Sequence, residues 1–203
     1  MSSVEFSFRD DMTKKGRIII LSGPSGSGKT TLSRLLLKDP AMKGKIVRSV
    51  SVTTRTKRPG EKEGRDYYFI SRKCFLYKQK AGHLLEAQKV YKDYYGTPAK
   101  PVREAIARGA YVLLCIEIKG SAVVKRKIPE SLRIFIQPPS REALKKRLLQ
   151  RGTENKAEIS KRLQRVALEL SEARKYDYVL INKDLFKCFN TLKAVLVKEM
   201  ALS

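Results

Sequence analysis

One eight-residue stretch, Gly23 to Thr30 (GPSGSGKT), constrains what this chain can fold into more than any other. It follows the apolar run Arg17 to Leu21 and leads into TLSRLLLK, so the order reads strand, glycine-rich turn, helix. That is the context in which the pattern GxxxxGK[ST] forms a phosphate-binding P-loop. Gly23, Gly26 and Gly28 lack Cβ, so the backbone can turn its N–H groups inward around an anion. The helix beginning near Lys29 aims its positive end at the same point. Lys29 then supplies a mobile charge for the β and γ phosphates, and the Thr30 hydroxyl a ligand for the Mg²⁺ that bridges them.

A chain of 203 residues builds one substantial core with inserts, and is too short for two large domains. No apolar stretch approaches the roughly 20 residues a membrane span needs. The first sixteen residues, MSSVEFSFRDDMTKKG, have no apolar segment and carry three acids, so we expect a flexible arm rather than a secretory or transit signal. Cys74, Cys115 and Cys188 are odd in number and far apart, which makes neither a disulfide framework nor a zinc site and points to a reducing cytoplasm. His83 is the only histidine, which excludes His-based metal clusters. The formal charge is +24, from 44 basic and 20 acidic residues. An anionic partner, including incidental nucleic acid, and a lineage-wide lysine bias both produce such a balance.

Past the P-loop helix, which should end before Asp39-Pro40, the segment KIVRSVSVTT predicts one alternating β-branched strand. The block TRTKRPGEKEGRDYYF follows. Arg55 and Arg58 lie three apart around a Pro59-Gly60 turn, so both guanidinium forks can close on one phosphate, with the Tyr67 phenol as a further donor; a basic surface loop would show the same residues. Arg72 to Ala81 predicts a short helix stopped by Gly82, and His83 to Gln88 a strand that sets Glu86 among apolar neighbours. A carboxylate there can accept both N1–H and the exocyclic amine of guanine, whereas adenine would leave it unpaired. Pro98 starts a helix that Gly109 closes, and YVLLCIEI (Tyr111 to Ile118) predicts a central strand interrupted by Glu117 near its carboxyl end, where open α/β sheets bind ligands. SLRIFIQPPS predicts another core strand. Two helices joined at Gly152 to Asn155 follow, bearing Arg147, Arg151 and Arg162, then a last strand ending at Asn182 and a helix from Leu185 to Met200. Strands alternating with helices after a P-loop imply an α/β fold, a parallel sheet with helices on both faces.

The combination of GPSGSGKT, SVTTRTKRPGEKEGRDYYF, YYGT, PPSREALKKRLLQRGTE and the late Asn182 resembles the guanylate kinase family over about Gly16 to Met200. The resemblance implies a P-loop core (17–50, 99–140 and 173–203), a GMP-binding insert (51–98) and a helical lid (141–172). It implies a Mg²⁺-dependent transfer of phosphoryl from ATP to GMP or dGMP, in a cytoplasmic monomer or small homo-oligomer. Carried over by position, Arg55, Arg58, Tyr67 and Tyr95 resemble the GMP phosphate clamp, and Ser51, Glu86, Thr97 and Glu117 the guanine readers. Gly23, Pro24, Ser25, Gly26, Ser27, Gly28, Lys29, Thr30 and Thr31 match the ATP phosphate site, Arg147, Arg151 and Arg162 the lid arginines, and Asn182 an adenine contact. Lys29, Arg55, Arg147 and Arg162 are the residues expected to act in catalysis. One position departs from the family: the strand usually carries two acids one residue apart, and here the first is Cys115, a poor partner for Lys29 or for metal-bound water, which implies a weakened metal site or a compensating acid nearby. Three rivals stay open: a kinase for another nucleoside monophosphate, a non-catalytic binding module of the same fold, and a nucleic-acid-binding protein using the basic surface.

Overall fold

The structure is a computed structural model that describes residues 16–151 and 156–202, with the side chains of 151, 156–158, 161 and 162 left aside. The proposed arm and the joint at Gly152 to Asn155 therefore lie outside the described residues, as do the side chains of Arg151 and Arg162.

In chain order the elements are β1 (Ile18–Ser22), α1 (Lys29–Lys38), β2 (Ile46–Arg48), β3 (Val52–Thr53), β4 (Tyr68–Phe69), α2 (Arg72–Lys80), β5 (Leu84–Val90) and β6 (Asp93–Pro98). They continue with α3 (Ala99–Ala107), β7 (Tyr111–Cys115), α4 (Ile118–Lys127), β8 (Leu132–Gln137), α5 (Arg141–Arg151), α6 (Lys156–Ser171), a 3₁₀ turn (Glu172–Lys175), β9 (Tyr178–Ile181) and α7 (Leu185–Ala201).

Five strands form a sheet in the order β2-β7-β1-β8-β9, every pair parallel. Parallel neighbours need crossovers, and the helices that supply them cover both faces. On one face Leu32 and Leu36 of α1 and Leu192 and Leu196 of α7 pack against Ile19, Leu21, Leu113, Ile134 and Leu180. On the other, Val102 and Ala105 of α3 and Val124 of α4 pack against Ile18, Ile20, Val112 and Leu114. The alternation along IIIL thus sends one residue to each layer in turn.

A second sheet, β4-β3-β6-β5, stands over the carboxyl ends of the first and closes its own small core on Phe75, with Val52 and Leu84. The α2 helix that carries Phe75 is capped by Ser71, whose hydroxyl accepts from Cys74 N at 3.2 Å. A third cluster, Leu144, Leu148, Ile159, Leu163 and Val166, joins α5 to α6.

Two expectations are corrected. The KIVRSVSVTT segment is two strands, because β2 pairs with β7 of the first sheet while β3 pairs with β4 and β6 of the second. The YVLLCIEI strand stops at Cys115: its partner β1 is in register only as far as Leu21↔Cys115, just before β1 gives way to the glycine turn. Glu117 consequently sits at the N-cap of α4, a helix the periodicity did not announce. The second sheet is mixed, β6 running antiparallel to both β3 and β5.

Phe75 is fully buried, so Phe75→Ala should cost about 3–5 kcal/mol in urea unfolding. Hydrogen exchange should accelerate first in β5 and β6; equal acceleration in β1 and β7 would show that the two sheets do not open separately.

Candidate functional site

The turn after β1 is built around positions that exclude a side chain. Gly23 has φ 133°, and a Cβ there would lie 2.2 Å from Ile136 O of β8. Gly28, the N-cap of α1 at φ 104°, would place a Cβ 2.2 Å from Asn182 Nδ2. That amide donates to Ser27 O at 2.8 Å, so the end of β9 holds the loop from beneath. Lys29 Nζ arches over the loop and donates to Gly23 O at 2.6 Å and Pro24 O at 3.0 Å. The first turn of α1 carries no acid, so its free N–H groups and positive end face the cleft. Thr30, Thr31, Ser25, Gly26 and Gly28 line that cleft with Lys29.

Across a volume of about 1150 Å³ stands the second sheet. There Arg55 is held on every side. Its Nη2 donates to both oxygens of Glu61 at 2.7 and 2.9 Å, its Nη1 to Thr56 O at 2.6 Å, and its Nε to the Tyr95 hydroxyl at 3.2 Å. The guanidinium also lies 5.5 Å from the Tyr67 ring centroid and 5.8 Å from that of Phe69. Glu61 accepts in addition from Arg58 N at 2.8 Å. Burial raises its carboxyl, but these hydrogen bonds and the Arg55 and Arg58 charges hold it below its ordinary value. The Tyr67 phenol is pushed up to about 12 by burial and the nearby Tyr95, so it remains a donor. Behind them Asp66 is lowered to about 2, burial being outweighed by bonds from Lys62 N, Arg65 and Arg34.

Deeper in the cleft, Glu86 is 4% exposed. Its Oε1 accepts from Thr97 Oγ1 at 2.7 Å, and Lys127 Nζ approaches the adjoining backbone, donating to Leu85 O at 2.7 Å. Burial pushes the Glu86 carboxyl up to about 7, against the Thr97 bond and the Lys127 charge and with help from Glu117. Ser51, Glu117, Tyr95 and Cys115 line the same cleft. Cys115 is half-buried; burial raises its thiol, only partly offset by Ser33, Arg48 and Lys29 around it.

From α5, Arg147 lines the cleft and donates to Asn182 O at 2.8 Å. Arg165 of α6 lies 5.1 Å from the ring of Tyr91, which sits at φ 57° in the β5–β6 turn. The α6 helix and the β5–β6 hairpin therefore touch across the mouth. Asn182, the expected nucleobase contact, is 3% exposed; its Nδ2 donates to the P-loop backbone, and its Oδ1 has no hydrogen-bond partner among the described residues. Residue reasoning missed Glu61, Asp66 and Tyr91. Glu61 and Asp66 are two of the three acids inside a basic block, with Glu63 the third, a pairing signal that only geometry resolves.

No group of three or more His, Cys, Asp or Glu side chains able to hold a metal occurs among the described residues. Thr30 at the start of α1 still fits Mg²⁺, which keeps several waters and takes most remaining ligands from substrate phosphates.

The comparisons agree with the geometry. A family model described as guanylate kinase matches residues 15–199. Guanylate kinase of Carboxydothermus hydrogenoformans is 44% identical over 185 residues, 91% of this chain and 89% of that one. That of Symbiobacterium thermophilum is 42% identical over 188 residues, 92% and 87%. A crystal structure of guanylate kinase from Anaplasma phagocytophilum superposes with a TM-score of 0.77 at 34% identity, covering 92% of this chain and 87% of that one.

Because the unfolded carboxyl titrates near 4.5 and the folded one at about 7, the native state binds the Glu86 proton more tightly between those values. Stability should therefore fall as pH rises from 4.5 to 7, by on the order of 3 kcal/mol, and the loss should level off above. Glu86→Gln has no such titration, so its stability relative to the parent should climb from pH 5 to pH 8 in urea unfolding; a pH-independent difference would contradict the burial of this charge.

Proposed function

The chain belongs to the guanylate kinase family, and on that premise we propose how its cleft transfers the γ-phosphoryl group of ATP to GMP, giving ADP and GDP. The observation that carries the reading is one cavity with the P-loop on one wall and, facing it, a guanidinium–phenol cluster beside a buried acid. ATP lies along Gly23 to Thr31 with its phosphates at the start of α1. Thr30, together with the phosphates, would hold Mg²⁺, which would supply charge neutralisation there. GMP, and equally dGMP, places its phosphate on Arg55, Arg58, Tyr67 and Tyr95, and its base on Glu86, with Thr97, Ser51 and Glu117 around it.

The acceptor needs no general base, since a phosphate with a second pKa near about 6 is mostly dianionic at neutral pH. One of its oxygens forms the new bond to the γ-phosphorus while the bond to the ADP oxygen breaks. The chain contributes position and charge. Glu61 aims Arg55 before substrate arrives, so little ordering remains at the moment of reaction. Lys29 releases two backbone carbonyls to meet the phosphates, and Arg147 enters from α5 with Arg151 and Arg162 of the lid segment 141–172. The insert (51–98) and lid close on the core to exclude water. Among the described residues no helix is long and apolar enough to cross a membrane, and a cytoplasmic location suits the free thiols of Cys74, Cys115 and Cys188.

ADP formation from ATP and Mg²⁺ should appear with GMP and dGMP and not with AMP, CMP, UMP or dTMP. Lys29→Ala should lower kcat by at least about a hundredfold. Turnover with every acceptor, or with none, would overturn the assignment of Glu86 or of catalysis respectively.

Cys115 lies between Lys29, Arg48 and Ser33, where an ionised acid would find two positive charges and the present thiol stays protonated. Cys115→Asp should raise kcat or lower the Mg²⁺ concentration needed for half-maximal rate; unchanged or lower activity would show that the thiol is not a deficit.

A further inference from the structure

The third residue of α4 is a glycine, Gly120, and it is buried. Nothing in its backbone calls for glycine: it lies within a helix and is absent from the positive-φ positions. Glycine in a helix costs stability relative to alanine, so the missing methyl must serve something else. What occupies its place is the acid. A Cβ on Gly120 would lie 2.7 Å from Glu86 Oε2 and 3.2 Å from Glu86 Cδ, with Gln88 Cγ next at 3.6 Å.

We propose that Gly120 is a positioning residue for nucleobase selection: its bare Cα is the floor on which the Glu86 carboxylate rests, and it sets the angle at which both oxygens meet N1–H and the 2-amino group of guanine. The hydrogen bond to the carboxylate comes from the β5–β6 side, while Lys127 at the far end of α4 adds a charge. Thr97 Oγ1 holds Oε1 at 2.7 Å, and the β5–β6 pairing, with its irregularity between Leu84 and Glu86, fixes the backbone. Oε2 is located by the space α4 leaves for it. A methyl at 2.7 Å is too close for any real contact, so either the carboxylate rotates off Thr97 or α4 shifts, and α4 begins at Glu117 on the cleft wall.

The inference rests on the reading of Glu86 as the guanine selector, and the experiment separates the two. Initial rates are measured with GMP and with inosine monophosphate, which lacks the 2-amino group, for the parent, Gly120→Ala, Glu86→Asp, Glu86→Ala and the double variant Gly120→Ala/Glu86→Asp. Gly120→Ala should raise KM for GMP by about tenfold or more, shrink the GMP preference over inosine monophosphate, and leave KM for ATP within about twofold. Because aspartate withdraws the carboxylate by one methylene, the added alanine should cost the Glu86→Asp chain far less than it costs the parent. Equal costs in both backgrounds, or a raised KM with an unchanged GMP preference, would overturn the proposal while leaving Glu86 its role. A Glu86→Ala enzyme that still prefers GMP would overturn both. If Gly120→Ala does not fold, Glu86→Asp should restore the fold, and failure to do so would show that the clash is not with the acid.

Discussion

A single buried asparagine ties together the glycine turn, the end of β9 and the α5 helix. Asn182 Nδ2 reaches from the end of β9 to Ser27 O, 155 residues earlier, while Asn182 O receives the Arg147 guanidinium from α5. The same Nδ2 fills the space a Cβ of residue 28 would need, so the glycine, the loop carbonyl and the asparagine specify one another. A hydrogen bond of this kind adds about 1 kcal/mol net, but removing one partner would strand a buried carbonyl at about 1–3 kcal/mol. The loop's N–H groups can thus face inward without collapsing, and α5 is registered to the same point. Leu144 and Leu148, which belong to the α5–α6 cluster, also form the wall against Gly26. The position of α5 and the shape of the loop are therefore set by shared contacts.

The opposite wall solves a different problem, how to hold a guanidinium ready without spending it. Arg55 is surrounded by a carboxylate, a carbonyl, a phenol and two ring faces, and each of these fixes its plane. Glu61 accepts from Arg55 and also from Arg58 N, so one acid shapes the whole turn. Against a chain charge of +24, such local acids matter: Glu61 and Asp66 each gather several donors into one fixed arrangement instead of leaving a diffuse basic field.

The P-loop, its flanking strand and helix, and the parallel character of the main sheet were legible because glycine spacing and apolar runs act locally. The pair Arg55 and Arg58, the phenols and Glu86 were legible as residue types. Their convergence was not, since it depends on which sheet each short strand joins. KIVRSVSVTT looked like one strand because alternation persists through Ser49 to Ser51 while the pairing partner changes from β7 to β4 and β6. IKGSAVVKRK was missed as a helix because its glycine and β-branched residues lower propensity, and packing of Val124 against the sheet overrides that. The same glycine that hid the helix makes sense only once Glu86 is seen beside it.

Glu86 shows why a stable fold tolerates an unfavourable group. An acid that is 4% exposed loses most of its hydration, and one hydroxyl with a cation nearby recovers only part. The deficit grows as pH rises to about 7 and levels off above it, and a carboxylate must be charged to accept two N–H groups. A guanine base would supply those donors, and a base without them would leave the buried charge unpaired. On the proposed role of Glu86, adenine would have to be bound over an unpaired buried charge, and that penalty would discriminate between the two bases. Selectivity of this kind demands that the carboxylate stay buried and correctly turned, which is why the β5–β6 hairpin, Thr97 and the approach of α4 all converge on one side chain.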